Sequence, residues 1–164
     1  MNKVGIYPGT FDPITYGHID VIRRSLKIVN KLIIGVSNDF SKSCLFTADE
    51  RVEIIKKALF KDLNFKAKTI KVLEFSSLTT AFCIKNKSKI IFRGLRAVSD
   101  FEYEFQLAGM NRQLNNKIET VFLMSDPDNQ VISSKFVKEI TQIGGKVNRF
   151  VTKSTEKALN SKYD

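Results

Sequence analysis

The segment Gly5–His18, GIYPGTFDPITYGH, joins a short apolar run to a helix-period pattern, and it decides the fold. It holds three of the eight glycines, two of the three prolines and the only histidine of the chain. Prolines stiffen the backbone, and glycines such as Gly9 and Gly17 let it approach a ligand closely. We expect His18 on the first helical turn, where unpaired amides and the positive end of the helix dipole favour a phosphate group. The alternative is that His18 only packs or caps the helix.

Further apolar runs rich in Val, Ile and Phe alternate with helix-period segments, which is typical of α/β proteins with a parallel sheet. The runs predict five strands: Lys3–Tyr7, Leu32–Ser37, Thr69–Phe75, Ile90–Phe92 and Thr120–Met124. We therefore predict a doubly wound, Rossmann-like parallel sheet with the strand order 3-2-1-4-5 and helices on both faces. The chain shows no linker or internal repeat, so residues 1–164 are expected to form a single domain.

The helices between these strands have recognisable start and stop signals. The segments Thr47–Glu50 and Ser99–Glu102 match the S/T-x-x-E capping box that begins a helix. Gly144 is expected to end a helix over Ser134–Ile143, because glycine adopts the left-handed conformation of a helix C-terminus. The other predicted helices are one with an apolar stripe of Ile19, Ile22, Leu26 and Val29, one near Leu78–Asn86, and a last one over Val151–Leu159 that precedes a polar tail.

Charge and composition narrow the classes of function. Of the 164 residues, 43% are hydrophobic, and 27 Lys and Arg outnumber 17 Asp and Glu, so the formal net charge is +10. This composition describes a folded protein that favours nucleic acids, acidic membrane surfaces or phosphorylated small molecules. Two cysteines without a CxxC motif and a single histidine exclude a disulfide framework and a His/Cys zinc site. Since the sequence shows no signal peptide and no long apolar run, we expect a cytoplasmic protein.

A second candidate site is the stretch Ile90–Asp100, IIFRGLRAVSD, in which Arg93 and Arg96 stand at the end of a predicted strand. The planar fork of arginine binds phosphate oxygens in two places. In a doubly wound sheet, ligands bind outside the carboxyl ends of the strands where the strand order reverses, here between strands one and four. Thr10 and His18 are therefore expected to face Arg93 and Arg96, unless the two arginines only solvate a loop.

The segment Ile132–Lys135 begins the helix after the fifth predicted strand and offers hydroxyls and unpaired amides to an anion. A serine at such a position is usually only a cap. The sequence contains no GxGxxG, GxxxxGK[ST], GxSxG or HExxH motif. The predicted phosphate loop is therefore of a different kind from the dinucleotide fingerprint and the P-loop.

The segment Thr15–His18, TYGH, resembles the (H/T)xGH signature of the nucleotidyltransferase superfamily, and Ser133–Ser134 resembles the start of its ISSS/T signature. Four longer stretches, YPGTFDPITYGHID, FTADERVEII, RGLRAVSDFEYEFQLAGMNRQL and VFLMSDPDNQVISSKFVKEI, make nearly the whole chain similar to the bacterial phosphopantetheine adenylyltransferase family. The resemblance implies AMP transfer from ATP to 4'-phosphopantetheine in coenzyme A biosynthesis, with dephospho-coenzyme A and pyrophosphate as products. It also implies Mg²⁺ bound mainly through ATP without metal ligands from the protein, a hexamer, and neither a nucleic-acid nor a membrane partner.

Carried over by position, the resemblance assigns three sets of site residues. The catalytic set is Thr10, His18, Lys42 and Arg96. The ATP-binding set is Thr10, Phe11, His18, Gly94, Leu95, Arg96, Glu104, Asn129, Gln130, Val131, Ile132, Ser133, Ser134 and Lys135. The phosphopantetheine-binding set is Thr10, Lys42, Thr79 and Arg93. The chain departs from the family pattern at Lys135, where Ser or Thr is common, and at Asn129 and Val131, where aromatic residues are common.

The implied reaction fits the residues, because in-line phosphoryl chemistry needs positioned cationic donors and no covalent nucleophile. Two alternatives remain open at this point. One is a sibling nucleotidyltransferase that acts on nicotinamide or nicotinate mononucleotide, or on a phospho-alcohol with CTP. The other is a basic nucleic-acid-binding module, although the lysines and arginines are spread along the chain without an aromatic-basic pattern.

Overall fold

The chain alternates strands with helices from β1 to α6 in a computed structural model that describes residues 3–38 and 43–163, with positions 98 and 99 as backbone only. The strands are β1 Val4–Gly9, β2 Lys31–Ser37, β3 Ile70–Phe75, β4 Ile90–Leu95 and β5 Glu119–Met124. The helices are α1 Tyr16–Ser25, α2 Ala48–Lys56, α3 Thr79–Lys85, α4 Val98–Leu114, α5 Ser134–Gln142 and α6 Lys153–Tyr163. A π-helical turn, Lys57–Asp62, continues α2, and a 3₁₀ turn, Pro127–Asn129, precedes α5.

The five strands form one parallel sheet in the order β3-β2-β1-β4-β5, which confirms the predicted order. β1 is central: it pairs with β2 along its whole length and with β4 at Gly5 and Ile6. The chain builds the sheet outward on one side with β2 and β3, and then on the other side with β4 and β5. The carboxyl ends of β1 and β4 therefore flank the point where ligands bind in such sheets.

Helices cover both faces of the sheet because the strands are apolar on both faces. In β2, Leu32, Ile34 and Val36 belong to the larger core cluster, while Ile33 belongs to a second cluster on the opposite face. The larger cluster includes buried residues of α1, α2, α5 and α6, namely Ile19, Ile22, Ile54, Ile55, Val137 and Leu159. The second cluster includes Phe82 and Cys83 of α3. No helix in the described ranges is long and apolar enough to span a bilayer.

Several element boundaries differ from the sequence-based expectation. β1 runs to Gly9 rather than ending at Tyr7, and α1 ends at Ser25, so Leu26 and Val29 of the expected stripe lie beyond the helix. β4 continues to Leu95 rather than ending at Phe92, because Arg93–Leu95 stays in register with Phe122–Met124 of β5. α6 runs over Lys153–Tyr163, so most of the expected polar tail is helical. Its last turn is held by an ion pair between Lys162 and Glu50, 2.9 Å long.

The helix ends test the predicted capping signals. Thr47 caps α2 and forms the complete capping box with Glu50, as predicted. The predicted box at Ser99 is wrong: α4 begins at Val98 with Ala97 as its N-cap. An acidic residue still stabilises this end, since Asp100 lies in the first turn and binds Arg96. Gly144 has a φ of +79° beyond the end of α5, which confirms its role as a helix terminator.

Candidate functional site

A cavity of about 600 Å³ lies at the carboxyl ends of β1 and β4, where the strand order reverses. Its walls come from the β1–α1 loop, the first turns of α1 and α5, the end of β4 and one face of α4. The predicted site residues that line it are Thr10, Phe11, His18, Arg93, Gly94, Arg96, Glu104, Ile132, Ser133, Ser134 and Lys135. The structure thus brings the two arginines opposite Thr10 and His18.

Other predicted residues lie elsewhere. Leu95 is buried and does not line the cavity, and Thr79 begins α3 after the end of β3, also outside the lining. Asn129, Gln130 and Val131 lie in and after the 3₁₀ turn, with Val131 78% exposed. Lys42 falls outside the described residues. The roles assigned to these positions stay predictions.

The His18 ring is held in a defined orientation at the start of α1. His18 occupies the third helical position, and the backbone amide of Thr15 donates to its Nδ1 over 3.0 Å. Because a backbone amide can only donate, Nδ1 is the acceptor and the neutral ring carries its proton on Nε2. The ring also lies against Phe11, with ring centroids 5.0 Å apart. His18 therefore offers one oriented N–H donor to the cavity that it lines.

The surroundings of His18 keep its ring neutral. Burial, and after it the positive charges of Arg96 and Arg93, together lower the pKa of His18 to about 4. At neutral pH the ring is thus a hydrogen-bond donor without a charge. An anionic ligand can accept from its Nε2–H without a prior protonation step.

Arg93 is anchored within the site by Glu104 of α4. Its Nε donates to Glu104 Oε2 over 2.7 Å, its Nη2 donates to Oε1, and its Nη1 donates to the carbonyl of Pro8 over 2.8 Å. Burial works to lower the pKa of Arg93, but the hydrogen bonds and charge of Glu104 outweigh it, and the pKa stays above its usual value. Arg93 therefore ties the end of β1 to α4 and leaves little uncompensated charge. For the neighbouring Tyr7, whose charged form is an anion, burial raises the pKa, so its hydroxyl stays protonated.

Arg96 and the start of α5 close the other wall. Arg96 donates to Asp100 over 3.1 Å and to the carbonyl of Ile132 over 3.2 Å. Ser133 caps α5 by accepting from the amide of Phe136, and Ser134 donates to the carbonyl of Pro13 over 2.7 Å. The capping interpretation is therefore confirmed for Ser133, which nevertheless lines the cavity.

Gly9 and Gly17, both expected to permit close ligand approach, differ in their surroundings. A Cβ atom on Gly9 would lie 2.9 Å from the ring of Phe11, so packing of that ring requires the glycine. A Cβ atom on Gly17 would meet Thr15 Oγ1 at 3.5 Å, an ordinary contact. Close approach of a ligand thus stays a prediction for Gly17. At Gly9, packing of the Phe11 ring already accounts for the glycine.

Sequence reasoning missed Asp12 and Lys138, which line the cavity and form an ion pair of 2.7 Å. Their pairing spans 126 positions, so no local pattern signals it. Each carboxylate that lines the cavity in the described part of the chain binds a cationic side chain: Asp12 binds Lys138, Asp100 binds Arg96 and Glu104 binds Arg93. Within the same ranges, no group of three or more His, Cys, Asp or Glu side chains could hold a metal ion.

Comparison with known proteins agrees with this geometry. The cytidylyltransferase-like family profile matches residues 6–140. The chain is 63% identical to the phosphopantetheine adenylyltransferase of Pelagibacter ubique (strain HTCC1062) over the full length of both proteins. It is 50% identical to the phosphopantetheine adenylyltransferase of Sphingopyxis alaskensis over 96% of this chain and 91% of that protein.

A solved structure shows the same fold at low sequence identity. The nicotinic acid mononucleotide adenylyltransferase of Plasmodium falciparum superposes with a TM-score of 0.71 at 14% identity, over 98% of this chain and 96% of that one. This likeness shows the fold alone. The family is shown by the two relatives whose sequences match over nearly the whole chain. The chain belongs to the phosphopantetheine adenylyltransferase family of cytidylyltransferase-like proteins.

Proposed function

We propose that the chain transfers the adenylyl group of ATP to 4'-phosphopantetheine and releases dephospho-coenzyme A and pyrophosphate. The observation that carries this proposal is the neutral, oriented imidazole of His18 at a helix N-terminus, in a cavity with Arg93 and Arg96. Such a site stabilises phosphate oxygens without a covalent nucleophile. The choice of acceptor is supported by the named relatives, which match over nearly the whole chain.

In the proposed reaction, an oxygen of the acceptor phosphate forms a bond to the α-phosphorus of ATP. The bond from that phosphorus to the oxygen bridging the β-phosphate breaks, and pyrophosphate leaves with the electron pair. Negative charge grows on oxygens around the α-phosphorus, where His18 donates from Nε2 and Arg96 adds positive charge. Donors fixed before the reaction lower the barrier because they need no reorganisation as the charge develops.

The remaining assignments follow from the resemblance and the shared edge of the sheet. Thr10 follows β1, lines the cavity and is proposed to contact both substrates. Lys42, Thr79 and Arg93 are proposed on the phosphopantetheine side, and the α5 side is proposed to bind the triphosphate through Ser133, Ser134 and Lys135, the last of which is cationic. Mg²⁺ is proposed to enter with ATP and, when bound, to offset charge on the triphosphate.

We also propose a homo-oligomer, a hexamer by family resemblance. Five large apolar side chains of α4 are exposed in the single chain: Phe101, Tyr103, Phe105, Met110 and Leu114. Contact with a second copy would bury them. A solution mass six times the 18.7 kDa of one chain is expected, and a monomer at micromolar concentration would contradict the proposal.

We further propose a cytoplasmic location, with which the separate thiols of Cys44 and Cys83 are consistent.

The test of the proposed reaction is pyrophosphate release with ATP, Mg²⁺ and a panel of acceptors. We expect turnover with 4'-phosphopantetheine and formation of dephospho-coenzyme A. Nicotinate mononucleotide, nicotinamide mononucleotide and, with CTP, glycerol 3-phosphate serve as controls for the sibling activities. Turnover of a mononucleotide without turnover of phosphopantetheine would refute the proposal.

A further inference from the structure

Arg51 of α2 is a buried arginine that binds three separate stretches of backbone. Only 3% of the residue is exposed. Its Nε donates to the carbonyl of Phe46 over 3.2 Å, and its Nη1 donates to the carbonyls of Thr10 and Ser37 over 2.6 and 2.9 Å. These carbonyls lie before α2, in the β1–α1 loop and at the end of β2. One guanidinium group therefore fixes three segments at the carboxyl edge of the sheet.

The bond to Thr10 orients a peptide that faces the cavity. Phe11, the next residue, has a φ of 52°, a left-handed conformation that costs a residue with a side chain about 1–2 kcal/mol. In a planar trans peptide, the carbonyl and the following amide point in opposite directions, so the amide of Phe11 points away from Arg51. Within residues 3–38 and 43–163, this amide donates no hydrogen bond, and both residues of the peptide line the cavity. Because Phe11 is only 2% exposed, this amide could serve a ligand inside the cavity but not one in bulk solvent.

Asp12 holds the other side of Phe11. Its carboxylate accepts from the amide of Leu45 over 2.9 Å and from the amide of Phe46 over 3.0 Å. Phe46 is consequently bound at its carbonyl by Arg51 and at its amide by Asp12. Phe11 therefore lies between two residues that are both fixed: Thr10 by Arg51, and Asp12 by its own carboxylate. Arg51 and Asp12 both bind the backbone of Phe46.

We infer that Arg51 is a positioning residue for adenylyl transfer. It holds the Thr10–Phe11 peptide so that the Phe11 amide serves a substrate phosphate and the Phe11 ring stays against the imidazole of His18. This inference rests on the function proposed above. Lysine cannot replace Arg51, because a single ammonium group does not reproduce the fixed directions of a guanidinium fork.

The test compares Arg51→Lys and Arg51→Gln with the unsubstituted protein. Arg112→Lys is the matched control, since Arg112 is an exposed arginine of α4 outside the cavity lining. We expect kcat per folded molecule to fall by about tenfold to a hundredfold in Arg51→Lys, because small displacements of reacting groups have effects of this size. The ring C–H resonances of the sole histidine, recorded without substrate, should shift in both Arg51 variants and stay in place in Arg112→Lys.

A purely structural role predicts another pattern. Arg51→Lys would then melt at a lower temperature, with kcat per folded molecule and the histidine resonances unchanged, and this result would overturn the inference. If Arg51→Lys does not fold, Arg51→Gln decides by the same two measurements, and loss of folding in both also shows a structural role only. Failure of the proposed function is separately visible, because the unsubstituted protein would then lack turnover while the resonance comparison still reports on positioning.

Discussion

The backbone amide of Thr15 donates to Nδ1 of His18 over 3.0 Å, and this single bond determines which ring nitrogen carries the proton. Since the pKa of His18 is lowered to about 4 by burial and by two arginines, the ring is neutral under ordinary conditions. Its role in the proposed reaction is therefore to donate a hydrogen bond from Nε2. Transfer of that proton is not required, because the attacking phosphate oxygen is already anionic.

His18→Ala should lower kcat by about 100- to 1,000-fold, the usual effect of removing one donor to a charge that develops in the transition state. ATP affinity should change much less, because the interaction strengthens as the reaction proceeds. Steady-state kinetics, ATP titration and thermal unfolding on one preparation provide the measurement. A variant that is destabilised but has near-normal kcat per folded molecule would instead identify a capping histidine.

The ring of His18 should titrate near pH 4 in the folded protein, against about 6.5 in the unfolded chain. Between these values the unfolded chain binds the proton and the folded protein does not, so lowering the pH from 6.5 towards 4 destabilises the fold. With a discount for partial exposure, the effect is on the order of 2 kcal/mol. Denaturant unfolding at pH 7 and pH 4.5 should show a weaker pH dependence in His18→Gln, where all other groups are retained. An NMR titration midpoint near 6.5 would contradict the prediction.

Glu104→Ala should lower the free energy of unfolding by about 3 kcal/mol, because it leaves the guanidinium of Arg93 buried without its counter-charge. The matched control is Glu119→Ala, which removes an ion pair with Arg112 in which both side chains are about 60% exposed. That change should cost less than about 1 kcal/mol. Chemical denaturation of both variants measures the difference. Equal losses in the free energy of unfolding would show that removing the partner of a buried arginine costs no more than removing that of an exposed one.

Lys135→Thr removes a cationic side chain at the first turn of α5. Lys135 is 81% exposed and lies 3.9 Å from Glu139, so its removal should leave stability nearly unchanged. An exposed charge contributes about 0.5–1 kcal/mol, and the dissociation constant of ATP should thus rise about two- to fivefold. Lys117→Thr, which removes a charge outside the cavity lining, is the control. Equal ATP affinity in both variants would make Lys135 a bystander.

Local sequence signals predicted what depends on neighbouring residues. The cap at Thr47 and the helix stop at Gly144 follow from short patterns, and the structure confirms them. The strand order follows from the alternation of strands and helices along the chain, which is typical of doubly wound sheets, and the structure confirms it as well. Arg51 escaped prediction because its acceptors are carbonyls of residues 41, 14 and 5 positions away, and any residue type supplies a carbonyl. α6 was expected to end at Leu159, but it runs to Tyr163, and Lys162 in its last turn pairs with the distant Glu50, which no local pattern signals.

The bond between Arg93 and Pro8 joins residues 85 positions apart, and this separation affects when the cavity can form during folding. β1, β2 and β3 are neighbours in sequence and in space, so they can associate early. The wall built by β4 and α4 requires closure of a much longer loop, whose entropic cost delays such contacts. Without β4 and α4 the cavity lacks Arg93 and Glu104, so ligand binding reports completion of the sheet.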